Sequence, residues 1–233
     1  MPDAVGVARV LAAGQASVDH FDNYAATLDE DGAVSDAEIA ALVATTRAAG
    51  AWVVPTMALW ETFRSAEPVA ALRQYAELRY VPRQWVDNWS TAVGNIRSSN
   101  PDPAPGAREL EIRRRVLKAA ADGGVGLLFG TDSPQLFSVP GFSIHREARV
   151  MAASGLTPFQ ILASGTRNVA DFYGARDDFG TVAAGRRADL MLLDADPLMD
   201  VANLERRAGV MVAGRWLPET EIRARLVEIA AAP

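Results

Sequence analysis

The feature that most constrains the fold of this chain is its alternation of strand-like and helix-like segments. Segments 51–59 and 125–131 are apolar runs, which is typical of strands buried on both faces. A helical pattern follows each run, and this order predicts parallel strands joined by right-handed crossovers. Three such units can be recognised, at 16–49, 51–122 and 125–174. The sheet is therefore either very small or part of a larger one.

A long segment at 60–106 interrupts this alternation. It is helical in patches, rich in Trp and Tyr, and closes with Pro101, Pro103 and Pro105. Insertions of this size in compact folds often form lids or the walls of binding clefts. We therefore predict an α/β domain over 1–177 in which 60–106 is a helical excursion and a candidate lid.

The last quarter of the chain carries short strand patterns instead. A strand is predicted at 188–194, and a hairpin is predicted from 209–212 and 215–217 around an Ala-Gly turn. An amphipathic helical pattern follows. These features predict a small accessory β module over 178–217 and a C-terminal helix over 218–233.

Composition excludes several classes of function. A net charge of −6 argues against nucleic-acid binding through a basic surface. The absence of cysteine excludes disulfides, thiolate nucleophiles and cysteine-held zinc. No apolar run reaches the length of a membrane span, so no membrane partner is expected. No secretory signal is visible either, which favours a cytoplasmic location, although a longer parent protein could be exported.

Two side chains with catalytic potential stand where predicted strands end. His20 closes the first strand pattern, and Asp132 follows the run at 125–131. Ligands gather at the carboxyl ends of parallel strands in α/β folds. Imidazole and carboxylate suit Zn²⁺, Mn²⁺ or Fe²⁺, and such an ion lowers the pKa of a bound water to about 7. A nearby carboxylate can then accept the proton of that water.

Simpler interpretations of these two residues stay open. An aspartate after a strand is more often a turn former or a helix cap, and a histidine there is more often a hydrogen-bonded structural residue. Zinc sites also need three or four protein ligands. His145 is the only other histidine in the chain.

An ordered set of short motifs adds a family resemblance. It includes Gly-Thr-Asp-Ser-Pro at 130–134, which contains Asp132. The full set lies at 17–20, 54–56, 130–134, 140–147, 155–158, 166–170, 180–182, 185–190 and 196–198. In this order the motifs resemble the C-terminal part of the metal-dependent amidohydrolase superfamily, and they are most similar to its imidazolonepropionase-like and prolidase-like branch.

The resemblance implies specific roles. Asp132 would be the eighth-strand aspartate, which binds metal and acts as general base on the attacking water. His20 would be the sixth-strand histidine, which is a metal ligand or a carbonyl-polarising group. His145 and Ser133 would contact substrate, and for His145 a structural hydrogen bond at a helix N-terminus is an equal alternative.

The family's first-strand His-x-His pair, fourth-strand lysine or glutamate and fifth-strand histidine have no counterpart in this sequence. The resemblance therefore implies a partial TIM (β/α)8 barrel of about three βα units, plus the β module. The implied function is that of a C-terminal segment of a metal-dependent hydrolase. Such an enzyme cleaves a C–N bond in a small amide, peptide or cyclic amide with metal-activated water. We expect the chain to be inactive alone and to hold Zn²⁺ or another divalent metal weakly or not at all, whereas the parent would hold one or two ions.

A rival interpretation keeps the fold without the catalysis. A partial barrel leaves strand edges open and part of its core uncovered. The apolar side chains that would face a missing partner are Val53, Val54, Leu127, Leu128 and Phe129. The chain could then be a truncated or decayed scaffold that associates through these edges. The partner would be a second copy or a complementing N-terminal half.

Overall fold

The computed structural model of the chain describes residues 5–21, 23–28, 34–176 and 178–231. The predicted domain limits at residues 1, 177 and 233 lie outside this part. In the described ranges, no helix is long and apolar enough to cross a membrane. The architecture is mixed α/β with two small sheets.

Eleven α-helices and two short 3₁₀ helices surround the sheets within the described ranges. The α-helices are α1 (Val7–Ala12), α2 (Tyr24–Leu28), α3 (Asp36–Ala48), α4 (Met57–Arg64), α5 (Val69–Leu72), α6 (Arg83–Ser98), α7 (Pro103–Asp122), α8 (Ser143–Ala153), α9 (Pro158–Ser164), α10 (Arg167–Phe172) and α11 (Glu219–Ala231). The 3₁₀ helices span Ala76–Tyr80 and Val201–Glu205.

The first sheet is parallel, as the sequence predicts. Strands β1 (Ser17–Asp19) and β2 (Trp52–Val54) pair in parallel, and an isolated parallel bridge joins Val53 to Leu127. We call β1, β2 and the third segment, 125–131 around Leu127, the parallel unit. The predicted strands at 51–59 and 125–131 are much too long. The chain turns into α4 directly after β2, and the third segment makes only one bridge.

The centre of the parallel unit is covered, which corrects the expectation that Val53 and Leu127 face a missing partner. Val53 is fully buried and Leu127 is 4% exposed. Val54, Leu128 and Phe129, for which the same was expected, are half-buried. On the outer edge of the third segment, the Phe129 amide donates to the Ser164 carbonyl at 3.1 Å, and Asn168 Nδ2 donates to the Leu127 carbonyl at 3.0 Å. Elements α9 and α10 therefore satisfy edge groups that another strand would otherwise take.

The same contact explains why the predicted single helix at 157–173 is two helices. A Cβ at Gly165 would lie 2.9 Å from the Phe129 ring, so glycine permits the close approach. The helix breaks there, at the point where the Ser164 carbonyl bonds to the third segment. The sequence also predicts Thr157 as the N-cap of this helix, and the structure confirms it and adds a capping box with Gln160. The capping box that the sequence predicts for Ser35 and Glu38 at the start of α3 is confirmed as well.

The excursion packs against the loop that follows Asp132. Its predicted helix at 69–78 is α5 plus a 3₁₀ helix, whereas the one predicted at 83–96 is α6. Phe137 and Val139 of the loop join a separate buried cluster with Leu72, Val86 and Val93. Segment 60–106 thus forms a wall beside this loop, and its action as a lid stays a prediction.

The second sheet lies near the C-terminus and is antiparallel. Strands β3 (Leu190–Leu193), β4 (Arg207–Val212) and β5 (Arg215–Pro218) follow in spatial order, and we call them the C-terminal sheet. The predicted Ala-Gly hairpin is confirmed, with Ala213 and Gly214 both at positive φ. Helix α11 packs against this sheet, yet none of its residues is fully buried.

Candidate active site

His20 and Asp132 meet at the end of the parallel unit. The distance from His20 Nε2 to Asp132 Oδ2 is 3.5 Å, and their side chains are 29% and 42% exposed. Gln135 Nε2 also donates to Asp132 Oδ2. Two of the residues predicted from strand ends therefore form a pair that remains open to solvent, which we call the His20–Asp132 pair.

The backbone turns sharply at three neighbouring positions of this site. His20, Thr56 and Asp132 have φ values of 67°, 48° and 53°. A non-glycine residue in this left-handed region costs on the order of 1–3 kcal/mol and persists only where its surroundings enforce it. Such residues cluster at functional sites. The strain therefore marks these strand ends as candidates for function.

Thr56 orients the His20 ring. Its Oγ1 lies 2.8 Å from His20 Nδ1, and the threonine is buried. This contact occupies Nδ1 and leaves Nε2 facing Asp132. Sequence reasoning included Thr56 only in the motif at 54–56 and gave it no role. The available signal was a hydroxyl directly after a strand of the same sheet.

Glu147 binds the backbone at the start of α4 from the inside of the molecule. Its two carboxylate oxygens accept hydrogen bonds from the backbone amides of Met57 and Ala58, at 2.8 and 2.7 Å. The side chain is fully buried, and this burial raises its pKa to about 7 although the two hydrogen bonds act in the opposite direction. Sequence reasoning placed Glu147 in a motif without assigning it a role.

Arg113 of α7 holds the turn at His20 from the other side. Its Nη1 donates to the His20 carbonyl, and its guanidinium lies 3.4 Å from the centre of the Trp60 ring. Nε and Nη2 donate to Glu109 Oε1 at 3.0 and 2.8 Å. This buried arginine satisfies a strand-end carbonyl and was not identified from the sequence.

Ser133 belongs to a short row of hydroxyl groups next to Asp132. Thr131 Oγ1 donates to Ser133 Oγ at 3.2 Å, and Ser143 Oγ lies 3.1 Å from Thr131 Oγ1. Ser143 is buried at the start of α8. The row fixes the backbone on either side of Asp132, and contact of Ser133 with substrate stays a prediction.

His145 lies in the first turn of α8 in a different environment. Burial lowers its pKa, and the charged groups that affect it are Glu205, Arg149, Arg207 and Glu77. Neither member of the His20–Asp132 pair is among these groups. Its Nδ1 is buried without a hydrogen-bond partner. The structure does not join His145 to the pair, and its contact with substrate stays a prediction.

The pair fits two ligands of a divalent ion. Imidazole nitrogen and carboxylate oxygen are suitable donors, and 3.5 Å is close to the spacing of two ligands on one zinc ion. The Thr56 contact resembles the outer hydrogen bond that orients most metal-binding histidines. Within the described ranges, no group of three or more potential ligands occurs. Further ligands would be needed to complete the site.

Comparison with known proteins concerns the family and the fold of the chain. The model of the amidohydrolase family matches residues 45–217, which is most of the chain. No curated protein gives a significant match.

Three solved structures similar to the chain belong to larger proteins. A bottromycin amidohydrolase superposes with a TM-score of 0.68 at 23% identity, covering 98% of this chain and 52% of its own. A Xaa-Pro dipeptidase with bound methionine has a TM-score of 0.59 at 19% identity, covering 90% of this chain and 41% of its own. Ochratoxinase from A. niger has a TM-score of 0.58 at 18% identity, covering 90% of this chain and 38% of its own. The chain thus spans about half or less of their length, and the likeness concerns the fold.

Proposed function

The chain belongs to the amidohydrolase family, and from this premise we propose that it is the C-terminal segment of a metal-dependent hydrolase. The enzyme would cleave a C–N bond in a small amide, peptide or cyclic amide. The observation that carries the proposal is the His20–Asp132 pair, with 3.5 Å between Nε2 and Oδ2 at the ends of the two segments that flank β2.

The parallel unit would be about three βα units of an eight-unit TIM barrel. The solved structures named above are about twice as long as this chain, which supports this view. The missing metal ligands would come from polypeptide outside the present sequence. We therefore propose that the chain alone is inactive and binds Zn²⁺ or a similar divalent metal weakly.

In this proposal the two side chains have distinct tasks. Asp132 would act as general base, because its carboxylate is partly exposed and can accept a proton from water and pass it to the leaving nitrogen. His20, held through Nδ1 by Thr56, would present Nε2 to the metal or to the substrate carbonyl. A divalent ion bound there would supply Lewis-acid activation of water.

The substrate pocket would lie beside the pair. The loop after Asp132 and the excursion at 60–106 pack together through Phe137 and Val139, which supports the view that they form one wall. Ser133 and His145 would contact substrate from this side. Bottromycin amidohydrolase and Xaa-Pro dipeptidase are among the similar structures, which supports a small amide or peptide as substrate class.

Titration of the isolated chain with Zn²⁺ and Co²⁺ tests the role of the pair. Calorimetry should show affinity weaker than micromolar. Asp132→Asn and His20→Gln should each weaken binding further, because each removes one of two ligands. His145→Gln is the matched control and should leave binding unchanged. The cobalt absorption spectrum should change in the same two variants.

Two results would contradict this proposal. Binding that is unaffected by both Asp132→Asn and His20→Gln would remove the metal role of the pair. A micromolar or smaller dissociation constant for Zn²⁺, with binding abolished by Asp132→Asn, would keep the metal role of the pair and overturn the expected weak binding. Turnover of Xaa-Pro dipeptides or N-acyl amino acids by the isolated chain, lost in Asp132→Asn, would overturn the expected inactivity.

A non-catalytic scaffold is the second candidate, and exposed apolar side chains in β3 favour it. Leu190, Met191 and Leu192 are all exposed on this edge strand. Exposed apolar edge strands pair readily with other chains. Size-exclusion chromatography over a range of concentrations would separate a monomer from an edge-paired dimer.

A further inference from the structure

We propose that Glu147 is a positioning residue for the His20–Asp132 pair, and that α8 aligns both members of the pair through Glu147 and Ser143. The catalytic meaning of this alignment rests on the proposed function, whereas the alignment itself can be measured without metal or substrate. Neither residue needs to touch a substrate for this role.

The start of α4 shows why Glu147 is needed. A threonine before a helix ordinarily accepts hydrogen bonds from the first backbone amides with its own side chain. Thr56 makes no such bond, because its φ of 48° lies outside the extended region of a capping residue, and its Oγ1 contacts His20 Nδ1. The free amides of Met57 and Ala58 then require another acceptor. Glu147 provides it from a position 90 residues away from Met57.

The environment of Glu147 favours a role beyond stability. The carboxylate is fully buried, and its hydrogen bonds are those to the two backbone amides. Glu61 is the charged group that affects it, and it is also acidic. Burying a charge without a cation partner is costly, although a helix N-terminus partly offsets the cost. A buried carboxylate, which is energetically costly, therefore fixes the backbone at Met57, directly after Thr56.

Ser143 makes the corresponding contact on the other arm of the site. It lies one helical turn before Glu147 on α8, and both residues are buried. Ser143 Oγ is 3.1 Å from Thr131 Oγ1, next to Asp132 in the chain. One helix thus contacts the residue before Asp132 and, through α4, the residue that holds His20. A shift of α8 would change the geometry of the pair from both sides.

Imidazole NMR on the metal-free chain tests this proposal directly. The chain has only two histidines, so a ¹H–¹⁵N spectrum of the rings contains two sets of signals, which His145→Gln assigns. In Glu147→Gln only one oxygen remains as acceptor, and the amide group opposes the second backbone N–H. We expect the His20 ring nitrogen shifts to move away from their wild-type values, and those of His145 to stay unchanged.

Two further variants separate positioning from general destabilisation. Met151→Ala creates a cavity in the same helix, where Met151 is fully buried, and it should leave the His20 signals in place. Glu147→Asp keeps both oxygens but is one methylene shorter, so its His20 signals should move in the same direction by a smaller amount. If Glu147→Gln does not fold, Glu147→Asp provides the measurement.

Unchanged His20 signals in a folded Glu147→Gln or Glu147→Asp chain would overturn the proposal. An equal displacement in Met151→Ala would also overturn it, since the effect would then be general loosening. The zinc titration is independent of this spectrum. Zinc binding that neither Asp132→Asn nor His20→Gln weakens, found together with displaced His20 signals, would reject the metal role of the pair and keep the alignment. Zinc binding that both variants weaken, found together with unchanged His20 signals, would keep the metal role and reject the alignment.

Discussion

The parallel unit and the C-terminal sheet are both small, yet their apolar side chains are covered very differently. Val53 in the centre of the parallel unit is fully buried, whereas Leu192 in β3 is 57% exposed. The parallel unit has helices along its connections and against its outer edge. The C-terminal sheet has α11 on it, and its edge strand β3 stays open.

This difference shows that coverage depends on the connections more than on the number of strands. Parallel strands require crossovers, and crossover helices cover the sheet as the chain returns. Antiparallel strands such as β4 and β5 are joined by a tight turn that brings no covering element. A small parallel sheet can therefore bury its core, while a hairpin next to β3 leaves apolar side chains in solvent.

The largest effect is expected from truncating the same residue type in both regions. Leu127→Ala should lower the free energy of unfolding by about 2–5 kcal/mol, because it leaves a cavity in a packed core. Leu192→Ala should change it by less than about 0.5 kcal/mol. Urea denaturation of both variants measures the contrast. Equal losses would show that the exposed strand is covered in solution.

The pH dependence of stability reports on the buried acid Glu147, which packs beside the parallel unit and has no buried counterpart among the described residues of the C-terminal sheet. The pKa of Glu147 is raised to about 7 in the folded chain, from an ordinary value of 4.5. Between these values the folded state keeps a proton that the unfolded state has released. The stabilisation is therefore full below pH 4.5 and falls as pH rises towards 7, by up to about 3 kcal/mol.

Denaturation at pH 5 and pH 8 checks this sign, and Glu147→Gln should remove the contribution. His145 acts in the opposite direction, because its pKa is lowered and its burial favours the neutral ring. Measurements in a His145→Gln background isolate the glutamate. A wild-type chain that gains stability from pH 5 to pH 8 in that background would contradict the assignment.

These features differ in how far the sequence could predict them. His20 and Asp132 were accessible because each stands at the end of its own strand pattern, and strand ends converge in parallel sheets. The capping box at Ser35 and the N-cap at Thr157 are local and were equally accessible. Glu147 was not, because its partners at 57 and 58 are distant in the chain and the contact depends on how α8 meets α4.

Strand length and coverage were also beyond the sequence. An apolar run at 51–59 looks like one strand, but a left-handed turn at Thr56 divides it into β2 and the start of α4. The cover over Leu127 comes from an asparagine side chain and a helix break that no periodicity reveals. Both errors arise because tertiary contacts, rather than local pattern, decide where an element ends.

Close packing at a glycine gives the next effect in size. A Cβ at Gly126 would lie 2.3 Å from the Trp52 ring, so Gly126→Ala should cost about 1–3 kcal/mol through overpacking. Gly94→Ala is the matched control, since Gly94 lies within α6 and a Cβ added there would meet no atom within 4 Å. The control should gain about 0.5–1 kcal/mol. Thermal denaturation of both variants decides, and a neutral Gly126→Ala would mean that Trp52 can move aside.

The smallest effects concern the two sheet edges. Asn168→Ala removes the donor to the Leu127 carbonyl and should cost about 1 kcal/mol. Because that edge then lies open, the variant should also associate more at high concentration. Leu192→Lys places a charge on β3 and should reduce association while changing stability by less than about 0.5 kcal/mol.

Light scattering after size-exclusion chromatography compares these two variants with the wild-type chain. Opposite changes in association would mean that one edge is protected by its own helix and the other is not, so that coverage rather than strand number governs pairing. If the wild-type chain formed a dimer that Leu192→Lys left intact, and Asn168→Ala increased the mass of the assembly, the chains would associate through the edge of the parallel unit. The contrast between the two regions would then be one of packing only.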